Sequence, residues 1–128
     1  TAYDFYSDLL KLVAKTTGVG KEIKKNRKKL GTLKYMMFTG KFAKHEVRSH
    51  DEVDILVVGE VVLPELSTIV RQEEKLRGRE INYTVMSEDE FEFRKNRRDP
   101  FLLGILELPR VMIIGEEEPM LERKQQAV

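Results

Sequence analysis

The period of the hydrophobic positions changes several times along the chain, and each change marks an element. Phe5, Leu9, Leu12 and Val13 recur at helical spacing, which predicts an amphipathic helix over about residues 3–16. Gly18 and Gly20 punctuate it, and a lysine-rich helix over about 21–30 stops at Gly31. The period then shortens. "LKYMMFT" (33–39), bounded by Gly31 and Gly40, predicts a strand, and "VDILVV" (53–58) a second one, apolar on both faces and therefore central. Pro64 opens a helix over about 63–77 that Gly78 ends. "INYTVM" (81–86) alternates as a third strand. Ser87 with Glu90 forms a capping box for a helix over about 88–96. Asp99-Pro100 begins a short helix, Pro109 ends it, and "RVMII" (110–114) is a fourth strand closed by Gly115.

This order predicts an α/β (α+β) domain with a small mixed β-sheet flanked by helices. The first two strands pair as an antiparallel hairpin or lie side by side after a detour through the 40–52 loop. A chain of 128 residues fits one domain. The expected domain is 1–115, with leading helices over 1–31 and a core over 32–115. Residues 116–128 are expected to be a charged tail, flexible or a frayed helix.

Composition narrows the chemistry. The formal net charge is +1, from 23 basic and 22 acidic residues, so the net charge selects no partner class. Local segregation says more: Lys21, Lys24, Lys25, Arg27, Lys28 and Lys29 crowd one helix, either as a solvated face or as a contact for nucleic acid or phosphate. "RKNRRDP" (94–100) is a second basic knot, which also complements a helix C-terminus. Absence of cysteine excludes disulfides, thiolate metal sites and thiol nucleophiles, and fits a cytoplasmic location. No apolar run is long enough to span a bilayer, so no membrane association is expected. The chain opens on Thr1 and reads as a piece of a longer protein.

Glu52 and Asp54 stand two residues apart at the mouth of the second strand. Residues so spaced in a strand share a face. Two carboxylates held together repel unless a positive charge lies between them, and a hard divalent cation such as Mg²⁺ supplies it. Alternatively, both sit at the exposed strand end and are solvated. His45 and His50 lie in the nearby loop without cysteine partners and are expected to be exposed. Met36, Met37, Met86 and Met112 are expected in the core. Phe42 and Tyr83 either pack or stack on a base.

The segment "GKFAKHEVRSHDEVDILVVG" (40–59) resembles the nucleotidyltransferase superfamily that includes DNA polymerase beta, whose signature is Gly-Ser, a spacer and Asp-x-Asp. It looks most like the small prokaryotic members in which this domain follows a winged helix-turn-helix in transcriptional regulators. Gly40 takes the glycine, Phe42 and Ala43 the Phe-Ala, Lys44 an arginine, Glu46 a glutamate, and Glu52 and Asp54 the acid pair. "RGREINYTVMSEDEF", "RDPFLLGILELPRVMIIG" and the leading "YDFYSDLLKLVAKTTGV" resemble the same group.

The resemblance implies a Mg²⁺-dependent transfer in which Glu52 and Asp54 hold the cations. A third carboxylate, Glu80 (with Asn82 as the neutral alternative), helps an acceptor hydroxyl attack the α-phosphate of a nucleoside triphosphate. Gly40, Lys41, Lys44 and Asn82 fall at the nucleotide. Three departures bear on this. Lys41 replaces the serine that holds phosphate, and either meets a phosphate itself, fills the phosphate site or neutralises the carboxylates. Glu52 is one methylene longer than aspartate, and His45 replaces a glycine. The expectation is a degenerate domain serving as the nucleotide-binding, regulatory or oligomerisation module of a transcriptional regulator, with nucleic acid met mainly by a part preceding Thr1. The alternatives are an active nucleotidyltransferase, or a protein partner held through the basic first helices.

Overall fold

Nine residues, Gly31–Thr39, form strand β1, and Met36, Met37 and Phe38 are buried in succession, so both faces are covered. A strand buried on both faces belongs in the middle of a layered sheet. The computed structural model describes residues 18–44, 46 and 48–121. The helix expected over 3–16 lies outside the described residues, as do His45 and residues 122–128.

In chain order the elements are α1 (Gly18–Lys25), α2 (Arg27–Leu30), β1, α3 (Gly40–Ala43), β2 (Ile55–Val61), α4 (Leu63–Arg77), β3 (Tyr83–Met86), α5 (Glu88–Asn96), α6 (Pro100–Leu106), β4 (Arg110–Ile114) and α7 (Glu117–Leu121). The four strands make one sheet in the order β3-β2-β1-β4. β1 is antiparallel to both β2 and β4, while β2 and β3 run parallel, so the sheet is mixed. A parallel pair needs a crossover, and α4 supplies it. Of the two arrangements open for the first two strands, the chain uses direct antiparallel pairing, Phe38 opposite Ile55.

Alternation along β2 builds the two sides of the core. Ile55 and Val57 join Ile23, Leu30, Leu66 and Val70 from α1, α2 and α4 on one face. Leu56 and Val58 join Phe91, Leu102 and Ile105 from α5 and α6 on the other. The fold is an α+β domain, a small mixed sheet flanked by helices.

Local chemistry sets the helix ends. Pro64 lies in the first turn of α4, and Gly78 closes it in the left-handed conformation (φ 70°). The Ser87 hydroxyl accepts from the Glu90 N–H at 3.1 Å, and Asp99 accepts from the Leu102 N–H at 3.1 Å. Glu88, in the first turn of α5, pairs with Lys34 of β1 and, by hydrogen bonding, holds that ammonium above the ordinary lysine value.

Several boundaries differ from the sequence reading: the lysine-rich helix starts at Gly18 rather than Lys21 and is split at Asn26, and β3 starts at Tyr83 rather than Ile81. β1 starts at Gly31 rather than Leu33, because Gly31 and Thr32 pair with Val61 and Glu60. β2 starts at Ile55 rather than Val53 and, opposite a β-bulge in β1 between Leu33 and Tyr35, runs on to Val61 through Gly59. There a Cβ would lie 2.4 Å from the Thr32 carbonyl oxygen and φ is 144°, so only glycine is unstrained. The domain also extends past residue 115. α7 buries Met120 completely against the second face of the sheet, and the buried Lys95 ammonium donates to the Met120 carbonyl at 2.9 Å. Met120 and Leu121 are too few to set a period, so the sequence left open whether this tail was flexible or a frayed helix.

Candidate functional site

Thr39 ends β1, and its hydroxyl accepts from the Phe42 N–H at 3.4 Å, turning the chain into the one-turn helix α3. Gly40 lies against the segment leading into β4: its N–H donates to the Pro109 carbonyl at 2.7 Å, and a Cβ would sit 3.2 Å from Pro109 Cβ. The glycine of the motif is thus needed for a close backbone approach. The turn closes with Lys44 N–H donating to the Gly40 carbonyl (3.0 Å) and Glu46 N–H to the Lys41 carbonyl (2.8 Å).

Phe42 anchors the turn. It is fully buried and meets the Phe38 ring edge-on at 5.0 Å between centroids. Arg77 of α4 lies over the same ring at 4.0 Å, donates to the Phe42 carbonyl at 3.0 Å, and is itself paired with the buried Glu73 at 2.8 Å. Phe42 therefore packs inward, the first of its two expected uses, and Lys41 and Lys44 are left exposed. They line a cavity of about 180 Å³ together with Gly40, Glu46, Glu52 and Pro109.

The two acids have separate partners. Glu52 faces the cavity, and the Lys41 ammonium lies 3.2 and 3.3 Å from its two oxygens. Asp54 is wholly buried. Its Oδ1 accepts from Arg48 Nε at 2.7 Å and its Oδ2 from the Asn82 main-chain N–H at 3.0 Å. The rest of the Arg48 guanidinium is spent on carbonyls: Ser49 at 2.8 Å, His50 at 3.2 Å and Glu80 at 3.1 Å. Asn82 completes the network, its amide donating to the His50 and Glu52 carbonyls at 2.8 and 3.0 Å. Its own carbonyl accepts from the N–H groups of Asp54 and Ile55 at 2.8 and 3.2 Å.

The geometry corrects the premise that placed both acids on a strand. Glu52 and Asp54 precede β2, and a bend at Asp54 replaces the strand pleat, so two-residue spacing does not put them on one shared face. Lys41 pairs with Glu52 alone, one of the two carboxylates it was expected to neutralise, while Asp54 is paired with Arg48. Glu80, the expected third carboxylate, lies before β3 with an exposed side chain; its main-chain carbonyl, not its carboxylate, enters the network. Asn82 has a structural task there. Gly40, Lys41, Lys44 and Glu52 do come together at the cavity. His50 is exposed.

The donor set does not fit a pair of magnesium ions. Mg²⁺ takes oxygen ligands at about 2.0–2.1 Å in near-octahedral geometry. Both Asp54 oxygens already accept hydrogen bonds, one from a buried guanidinium. Both Glu52 oxygens face an ammonium. A cation entering between Asp54 and Glu52 must first displace Arg48 and leave that buried charge unpaired, which is costly.

Arg48, Arg77 and Glu73 escaped the sequence reading. A buried carboxylate demands a counter-charge, and Arg48 stands six residues before Asp54, but nothing in the sequence marks Asp54 as buried. Comparison with protein families, with curated proteins and with solved structures finds no match to this chain. Among the described residues, no helix is long and apolar enough to cross a membrane.

Proposed function

We propose that this chain is a nucleotidyltransferase-like domain in which its own side chains stand where the divalent cations would be, and that it works as a binding and regulatory module of a transcriptional regulator rather than as a transferase. The observation that carries this reading is the buried Arg48–Asp54 pair, at 2.7 Å with the side chains 7% and 0% exposed. The acid expected to hold metal is committed to holding the loop over 48–54 against residues 80–82. The cavity beside it keeps features that suit a phosphate-bearing ligand: two exposed lysines on a glycine turn, acting as point charges. Its volume is below the roughly 300–1,000 Å³ of sites that enclose a whole small molecule, so it suits one part of a nucleotide, such as its phosphates.

The test is incubation of the folded chain with each of the four labelled nucleoside triphosphates and Mg²⁺, alongside calorimetry with the same nucleotides. The expected result is no label transferred to the protein or to an added hydroxyl acceptor, with nucleotide heat that falls when Lys41 and Lys44 are both changed to glutamine. Magnesium-dependent transfer of label contradicts the proposal and returns the chain to the active transferases.

A further inference from the structure

The first two helices carry a charge pattern that the cavity does not use. α1 and α2 are separated by Asn26 alone, and the N–H of Asn26 bonds to the Glu22 carbonyl (3.0 Å) and that of Leu30 to the Asn26 carbonyl (3.1 Å). Asn26 thus bonds to the turn on either side, although its φ of −104° and ψ of 18° depart from the helix. Val19, Ile23 and Leu30 form the buried side, packed on the first face of the sheet. Lys21, Lys24, Lys25 and Lys28 recur at i, i+3, i+4 and i+7, and all four are exposed. At 100° per residue this stripe lies opposite the buried side. Arg27 and Lys29 flank it, also exposed.

Nothing among the described residues answers this charge. Among the described residues none of the six cations has a carboxylate partner, although Lys34, Arg48, Arg77, Arg94, Lys95 and Arg110 all do. Glu22 is the only acid among residues 18–30, and its Oε2 accepts from the Asn26 amide at 3.4 Å. Six like charges in so short a span repel one another, and like-charge pairs at i, i+4 cost helix stability. In a chain whose net charge is +1, this is a segregated surface rather than a share of a uniform excess.

We infer that the α1–α2 stripe is a docking surface for the sugar–phosphate backbone of duplex nucleic acid, read without sequence preference. The span from Lys21 to Lys28 is about 10 Å, over which a duplex presents roughly six phosphate charges. Lysines on flexible stems meet phosphates as point charges and carry no base-reading geometry. The stripe lacks aromatic side chains, which removes the stacking that single-strand binders use. A protein partner fits less well, since lysine is depleted and aromatic anchors enriched in protein interfaces. A membrane surface fits less well too, because the apolar face that would enter the lipid is already buried in the domain. The inference stands apart from the proposed function: it needs neither the cavity nor the Asp54 network.

The experiment is fluorescence anisotropy of the full chain with a labelled DNA duplex, with polyglutamate and phosphatidylserine vesicles as competitors. With four phosphates neutralised, log affinity falls with log salt at a slope of about −3 to −4, a loss of roughly 10²-fold between about 50 and 200 mM salt. K21Q/K24Q/K25Q/K28Q is expected to weaken duplex binding by a similar factor and to flatten the slope. R71Q/K75Q/R97Q/R98Q, which removes equal charge elsewhere, is expected to leave binding within a few-fold. Among the described residues, all of these side chains but Arg97 lack an ion-pair, hydrogen-bond or ring partner, and an unchanged urea midpoint confirms that both variants fold. The inference is overturned if the duplex does not bind at low salt, if both quadruple variants weaken binding alike, or if polyglutamate or the vesicles bind better than the duplex.

Discussion

Replacing Arg48 with methionine is expected to lower the unfolding free energy by about 3–5 kcal/mol, the loss typical when one partner of a buried ion pair is removed. The size follows from what stays behind. Asp54 is fully buried, and after the change its carboxylate keeps one hydrogen bond, from the Asn82 N–H, and no counter-charge. Three main-chain carbonyls, of Ser49, His50 and Glu80, lose their donor together. Lysine at position 48 is not expected to rescue the loss, because a single ammonium cannot reproduce a planar fork that reaches one carboxylate and three carbonyls. Arg48→Met combined with Asp54→Asn is expected to recover part of it. Asparagine still accepts from the Asn82 N–H but needs no counter-charge, so the two changes are non-additive. Urea unfolding of the two single variants and the double variant measures all three terms. A loss within about 0.5 kcal/mol for Arg48→Met would place it among ordinary surface substitutions and remove the basis for a locked Asp54.

The second large effect is expected at Phe42. Changing it to alanine empties a fully buried site and is expected to cost about 3–5 kcal/mol. Part of that cost is specific to this turn: the Phe38 ring loses its edge-on partner, and the Arg77 guanidinium loses the ring beneath it. The same change should loosen α3 while leaving the Arg48 network in place. Hydrogen exchange separates the two. The amides of Lys44 and Glu46, which close the turn, are expected to exchange faster than the global destabilisation explains, whereas those of Asp54 and Asn82 follow global stability. Uniform acceleration would mean that Phe42 is core packing with no special hold on the turn.

What could be read from the sequence divides by the range of the interaction responsible. α4 was legible at both ends, because Pro64 and Gly78 act on their own backbone. The same holds for α5 and α6, where Ser87 and Asp99 cap helices within three residues of themselves. The unbroken apolar run from Ile55 to Val58 revealed a doubly covered strand, and with it the layered fold. The cavity was half legible. Gly40, Lys41, Lys44 and Glu52 converge because a local turn brings the first three together and Lys41 reaches the fourth. The Asp54 network was not legible, since it ties 48–54 to 80–82 by contacts whose existence depends on burial, and burial is a property of the assembled sheet. Met120 was missed for the same reason: it is buried in a cluster with Phe91, Leu102 and Met112, which forms only once α5, α6 and the sheet have assembled.

The most direct measurement is titration of the folded chain with Mn²⁺, a spectroscopic stand-in for Mg²⁺, followed by electron paramagnetic resonance of the free ion. With guanidinium and ammonium occupying the acidic oxygens, added manganese is expected to remain free at every stoichiometric ratio, with or without nucleotide. Uptake of one or two ions per chain, lost when Asp54 is changed to asparagine, would mean that the arginine yields to metal and that the pocket is an active centre after all.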